Sequence, residues 1–341
     1  MKANTNSTSM QRTISRIAIV RLSALGDIIN SAVVVQFIKA HYPNAAIEWI
    51  TDEAFAPLLL QNSQIKSVHT LKLKELKKTK SLALLKESIR KLKTLGDFDI
   101  IIDMQGLLKS AIVSRLIGAN THGFAKDSIR EPLAALLYKS SSHIAYQENV
   151  VKRNSFLVGD ALGFEITDKK IQHKKPIFLS QNSFKESDAK KIIFVIGASW
   201  ESKIYPKEQV AILCDLIGEH ALIIWGSEQE KEDAEWISNH SKYAKLAPKL
   251  SLGELIDAIS SADLVIGNDT GPTHLAWAQN IASITLFGPT NSRMIFQTEK
   301  NIAIESPSKV DILKINKNDF SINEIDPQEI AIKAKELLYG V

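Results

Sequence analysis

The chain has 341 residues, enough for two domains of ordinary size, and its 45% hydrophobic and 23% charged content suits a folded globular protein. A net charge of +4 is too small to argue for a nucleic-acid partner, and no apolar run approaches the ~20 residues of a membrane span. The one cysteine, Cys214, sits in an apolar helical pattern and reads as core, which excludes a disulfide framework or a cysteine zinc site.

Residues 1–15 are polar, lack the apolar core of a signal peptide, and are expected to be a disordered tail on a cytosolic protein. Ile17 to Val20 reads as a strand. Arg21-Leu-Ser-Ala-Leu-Gly-Asp27 follows, then one helix from Ile28 to about His41, which puts Asp27 where aspartate is a favoured cap. Ile47 to Thr51 and Ser67 to Leu71 read as further strands. Between Lys72 and Lys93 lie nine Lys/Arg against Glu75 and Glu87, with Leu82, Leu85, Ile89 and Leu92 at helical spacing. That stretch is either a solvated amphipathic helix or a surface for an anionic partner.

Asp99 to Asp103 is the next strand, ending in Asp103-Met-Gln-Gly-Leu-Leu-Lys109-Ser110. Asp97-Phe-Asp99 has the spacing of a manganese-chelating pair but precedes its strand, whereas ligands of open α/β sheets lie beyond the strands' carboxyl ends. It is rejected as a metal site. His122-Gly123 and Arg130-Glu-Pro-Leu133 come next, then a helix from about Val150 to Leu162. Residues 163–190 turn polar and basic and form the best linker candidate.

A second strand–helix series begins at Ile192 to Ile196, with the loop Gly197 to Pro206 carrying Lys203, read as an exposed loop lysine. Ala221 to Trp225 is a strand, Glu230 lies in the first turn of the following helix, and Ser251-Leu-Gly-Glu254 is a capping box. Leu264 to Ile266 is an apolar strand that Gly267 and Asn268 should stop. A helix should then start at once, Thr270 capping it and Pro272 in its first turn. Free N–H groups and the positive dipole end make that junction an anion site, with Asp269, Thr270 and His274 around it. Ser283 to Phe287 is one more strand and Pro327 to Tyr339 a final helix. No GxGxxG follows the first strand and no Walker A pattern is present, which counts against a dehydrogenase and a P-loop kinase.

The pattern is α/β, two βα domains with a ligand cleft between them: an N-terminal domain over 16–175, a C-terminal one over 176–325, and a helix over 326–341. Ser23-Ala-Leu-Gly-Asp27, Asp103-Met-Gln-Gly-Leu-Leu-Lys-Ser110, Arg130-Glu-Pro-Leu-Ala134, Lys203 before Tyr205-Pro206, Trp225-Gly226, Pro248-Lys249 and Asp269-Thr-Gly-Pro-Thr-His274 occur in an order and spacing specific as a set. With them the chain resembles the bacterial lipopolysaccharide heptosyltransferases, over nearly everything after Ser15, and the Gln-Gly-Leu and Arg-Glu-Pro-Leu elements favour the type I branch.

The resemblance implies a GT-B fold of two Rossmann-like domains. It implies inverting, metal-free transfer of L-glycero-D-manno-heptose from ADP-heptose to Kdo of Kdo2-lipid A, with no cofactor. Asp27 would be the base, Lys203 would add a full charge at the departing diphosphate, and Ala198, Ser199, Lys203, Glu230, Leu250, Asp269, Thr270, Gly271 and His274 match the family's donor contacts. Asp269, which would repel a diphosphate, is expected to point at heptose hydroxyls or pair with Lys203. Two positions depart from its pattern: Ala198 stands where threonine is frequent, and Leu250 replaces a methionine at similar volume. On the acceptor side Arg130 and Lys109 supply positive charge, arginine being the better fork for a carboxylate. The protein is expected to be a monomer touching the anionic inner-membrane face through charge rather than insertion. A heptosyltransferase with another acceptor, a sugar-nucleotide epimerase of the same architecture, and a non-catalytic nucleotide-sugar binding module are the competing readings.

Overall fold

The structure, a computed structural model, describes residues 14–180, 190–311 and 315–340. Most of the expected tail, 1–13, and the part 181–189 of the expected linker lie outside those residues.

Among the described residues, twelve strands form two six-stranded parallel sheets. The first holds β1 (Arg16–Val20), β2 (Ala46–Asp52), β3 (Ser67–Leu71), β4 (Ile100–Asp103), β5 (Thr121–Phe124) and β6 (Ser140–Ser142). The second holds β7 (Ile192–Val195), β8 (Ala221–Ile224), β9 (Ala244–Leu246), β10 (Leu264–Asn268), β11 (Ala282–Phe287) and β12 (Asn301–Glu305). Read from the third strand of each, both have the order 3-2-1-4-5-6, so β1 lies beside β4 and β7 beside β10. Both pairs are buried, which is why they read as nearly unbroken apolar runs.

The helices of the first half are α1 (Leu25–Ala32), α2 (Val34–His41), α3 (Ala56–Leu59), α4 (Leu73–Thr79), α5 (Leu82–Lys93), α6 (Leu108–Ile117), α7 (Val150–Leu162) and α8 (Asp168–Gln172). Those of the second are α9 (Lys207–Ile217), α10 (Glu228–His240), α11 (Leu252–Ser260), α12 (Gly271–Ala278) and α13 (Pro327–Tyr339). The last of these, α13, packs on α9 and on the second sheet.

Four elements differ from expectation. The helix expected over 28–41 is two, α1 and α2, and α1 starts at Leu25, so Asp27 lies inside its first turn instead of capping it. Gly267 and Asn268 do not stop β10: both pair with β11, and Gly267 is small enough for Val195 and Thr273 to close over it. Residues 163–180 are not an open tether. They contain α8, and Lys174, Ile177 and Phe178 hydrogen-bond to the carboxyl end of α12. In α5 only Leu92 of the four spaced residues is buried, and Leu82 stays 72% exposed.

Between the sheets one apolar cluster runs from Ile28 and Ile29 of α1 to Leu275 and Ala276 of α12. The two helices cross at two glycines. A Cβ on Gly26 would lie 2.5 Å from the His274 ring, and one on Gly271 would lie 2.6 Å from the Leu25 side chain. No larger residue permits this approach, so it fixes how the halves meet beside the cleft.

Candidate active site

In an open parallel sheet the loops on either side of the point where strand order reverses diverge and leave a crevice at the carboxyl ends. Here those points are β1/β4 and β7/β10, and their loops carry Asp27, Gln105, Ala198 to Lys203 and Asp269 to His274. They line one cleft of about 1080 Å3, together with Arg130, Glu230, Leu250, Thr270 and Gly271. Every site residue expected from the sequence is on this lining except Lys109. That side chain is exposed and donates to Ser23 Oγ at 3.3 Å, beside the cleft rather than in it.

On the second sheet's side the centre is Asp269, 3% exposed. Its Oδ2 accepts from Lys203 Nζ at 2.5 Å and Thr290 Oγ1 at 2.9 Å, and its Oδ1 pairs with His274 Nε2 at 3.1 Å. Burial alone would raise this carboxyl, but the Lys203 charge and the His274 bond hold it well below the usual range. Lys203 is 6% exposed, not the loop lysine expected, and its ammonium lies 4.9 Å from the centre of the Trp200 ring. The burial follows from Asn268, whose side chain accepts from Tyr205 N and donates to Ile196 O, folding the 197–206 loop onto β10. Asn268 pins the loop; it is not a strand terminator.

Thr270 occupies the N-cap of α12 but its hydroxyl makes no capping bond, leaving it available to a ligand with the N–H groups of the first turn. His274 Nδ1 is buried and has no partner among the described residues. Glu230 is steadied through Oε2, which accepts Gly226 N–H at 2.7 Å, and lies so close to Gly197 that any side chain there would collide with it. Its other oxygen is the one free for a hydroxyl pair. Leu250 and Trp225 give this end of the cleft its apolar wall.

Across the cleft Asp27 is the third helical residue of α1. Its Oδ1 pairs with Arg21 at 2.8 Å, while Oδ2 accepts Ala24 N–H at 3.2 Å. The carboxylate is half-buried and its orientation is set twice over. Asp103, fully buried, is structural: Tyr138 OH donates to it at 2.7 Å, as do Gln105 N and Gly106 N, and burial pushes its carboxyl up. Gln105 in turn accepts Leu22 N–H and donates to Ser23, holding the loop that carries Asp27. Asp99 accepts from Ser15 and Arg16 backbone N–H groups, which gives the Asp97-x-Asp99 pair a structural use.

Sequence reasoning missed two arginines of the cleft. Arg153 donates to the carbonyls of Ser128, Ile144 and Ala145, and burial lowers its pKa to about 10. Arg293 comes from the second half of the chain, donates to Tyr146 O at 2.6 Å, and stands near Asp27 and Arg130. Nothing local marks either; Asn149 donates to the carbonyls of Arg293 and Ile295, which helps hold Arg293 at the site. Among the described residues no group of three or more His, Cys, Asp and Glu is arranged to hold a metal ion.

Residues 86–309 match the model of Glycosyltransferase family 9 (heptosyltransferase). The chain is also 39% identical to lipopolysaccharide heptosyltransferase 1 of Campylobacter coli, over 94% of this chain and 98% of that one. The chain belongs to glycosyltransferase family 9. Identity to lipopolysaccharide heptosyltransferase 1 of Escherichia coli K12 is 27%, over 88% and 96% of the two chains. Among solved structures, the E. coli heptosyltransferase WaaC with ADP-2-deoxy-2-fluoro heptose matches with a TM-score of 0.77 at 24% identity, over 94% of this chain and 99% of that one. A UDP-GlcNAc 2-epimerase from Methanocaldococcus jannaschii matches at 0.53 and 13%, over 95% and 93%, so the same GT-B architecture also carries another chemistry.

Proposed function

We propose that this family 9 enzyme transfers L-glycero-D-manno-heptose from ADP-heptose to Kdo of Kdo2-lipid A, with inversion, no cofactor and no metal, in building the lipopolysaccharide inner core. The observation that carries the reading is the opposition of Asp27 on α1 to the Lys203–Asp269–His274 cluster at the start of α12. The near-full-length likeness to a lipopolysaccharide heptosyltransferase 1 supports the donor and acceptor classes.

In this reading the acceptor hydroxyl gives its proton to Asp27 as its oxygen bonds to the anomeric carbon, and the bond from that carbon to the diphosphate breaks. Negative charge then moves onto the departing ADP. The N–H groups of Thr270 and Gly271, the Thr270 hydroxyl and Lys203 receive it without rearranging, which makes them effective. Asp269 does not face the diphosphate bare, because the Lys203 ammonium pairs with it and the His274 ring is hydrogen-bonded to it. Glu230 takes the ribose hydroxyls, Leu250 packs the adenine, and Ala198 and Ser199 contribute backbone and hydroxyl contacts. Arg130, Lys109 and Arg293 meet the acceptor's acidic groups. The enzyme works as a monomer on the cytoplasmic side, peripheral to the inner membrane; no helix among the described residues is long and apolar enough to cross one.

Release of ADP from ADP-heptose, followed with and without Kdo2-lipid A, tests this. Release should depend strictly on the acceptor. Acceptor-independent epimerisation would favour the epimerase reading, and no turnover with any acceptor would favour a binding module.

A further inference from the structure

We propose that the face formed by α6 and the 3-10 turn Pro132–Leu137 docks on an anionic lipid bilayer, with its leucines entering the interfacial layer. In that turn Leu133 is 65% and Leu136 77% exposed, while Ala134 between them is buried. Two large aliphatic side chains on one short turn are thus held outward by a buried anchor. The outer face of α6 continues the pattern with exposed Leu108 and Ile112. The two elements form one surface, because they pack together and Leu108 N–H donates to Glu131 Oε2 at 2.7 Å.

Exposed cations are interleaved with these side chains: Lys109 and Arg115 on α6, and Arg130 just before the turn. The basic helix α5 packs beside α6 and extends the charge. Exposed apolar side chains on elements that also carry exposed lysine and arginine match the boundary between acyl chains and anionic headgroups. A second copy of the chain fits less well, since a two-fold contact would set these cations against each other. The face also adjoins the cleft, because Lys109 touches Ser23 and Arg130 lines the wall. This deepens the proposed function and rests on its lipid-linked acceptor for biological sense. It replaces contact through charge alone with charge plus shallow insertion.

The test is sedimentation with sucrose-loaded phosphatidylethanolamine vesicles containing phosphatidylglycerol, with neither substrate present. Wild-type protein should bind them, and part of the binding should survive about 0.5 M salt, where screening reaches within a few Å. Leu133→Ser/Leu136→Ser should bind roughly tenfold more weakly, each partly buried leucine being worth a few-fold. Its melting temperature should match wild type, because exposed positions add little stability. Ile332→Ser, at an exposed isoleucine on α13, should bind normally. Equal binding by the double variant, no wild-type binding at low salt, or a solution dimer that the double variant dissolves would each overturn the proposal. Vesicle binding without acceptor-dependent ADP release would support this surface while sinking the proposed function; the opposite pair of results would do the reverse.

Discussion

Asp269→Asn probes the buried cluster most sharply. The carboxylate takes three side-chain partners at 2.5, 2.9 and 3.1 Å, from Lys203, Thr290 and His274. Asparagine keeps one oxygen but no charge, so Lys203 is left buried without a counter-ion. Removing one partner of a buried pair costs about 3–5 kcal/mol. In a domain of ordinary size each kcal/mol moves the melting temperature by about 2–4 °C, so the second half should melt roughly 6–20 °C earlier. The folded-state pKa of Asp269 lies below the unfolded one. Its stabilisation is therefore full above about pH 4 and fades only as pH falls through the depressed value. A diphosphate would replace the missing charge, so ADP should raise the melting temperature of the variant more than that of wild type. Lys203→Met/Asp269→Asn should recover part of the loss, with a coupling of about 0.5–3 kcal/mol. Calorimetry of wild type, Asp269→Asn, Lys203→Met and the double variant, with and without ADP, measures all of this. A single variant melting within about 2 °C of wild type would refute the energetic role of the pair. Equal ADP shifts would remove the diphosphate from this place.

Asp27→Asn should lower kcat about 10²–10⁴-fold with ADP affinity unchanged; activity within a few fold of wild type would reduce Asp27 to a partner of Arg21 and of the Ala24 backbone. Gly26→Ala puts a methyl 2.5 Å from the His274 ring, so it should cost about 1–3 kcal/mol and most activity, seen by denaturation and by ADP release. Lys174, buried against the carboxyl end of α12, has its pKa pushed down to about 7 by burial. The unfolded chain therefore binds the extra proton between about pH 7 and 10, and this group's contribution to stability rises with pH there; Lys174→Met should flatten that slope in melts taken across the range. ADP should compete with the donor better than UDP or GDP if Leu250 and Trp225 hold adenine, and equal competition by all three would count against it.

The parallel strands were readable because burial on both faces makes apolar runs such as Ile192 to Val195. The start of α12 was readable because Thr270 and Pro272 are local signals of a helix start, although Gly267 and Asn268 do not end the strand before it. The pairing of Lys203 with Asp269 was one of two expectations for that aspartate and is found, but the lysine's burial was not readable, because nothing in the 197–206 loop shows that Asn268 folds it inward. Because Lys203 is buried and paired, Lys203→Ala should lower stability as well as turnover. Arg293 was invisible for the same reason, its backbone being anchored 144 positions away by Asn149. Leu82 and Leu85 show the limit of spacing in the other direction: it marks a helix, as found, but in α5 only Leu92 is buried. Periodicity reports a helix face, and only the neighbouring element decides what covers it.

Mass spectrometry of the product formed from ADP-heptose and Kdo2-lipid A tests the central claim most directly. The claim predicts acceptor heavier by one heptosyl residue, attached to Kdo with inverted anomeric configuration, and lost with Asp27→Asn. Unchanged acceptor alongside consumed ADP-heptose, or a heptosyl residue on any other sugar, would contradict it.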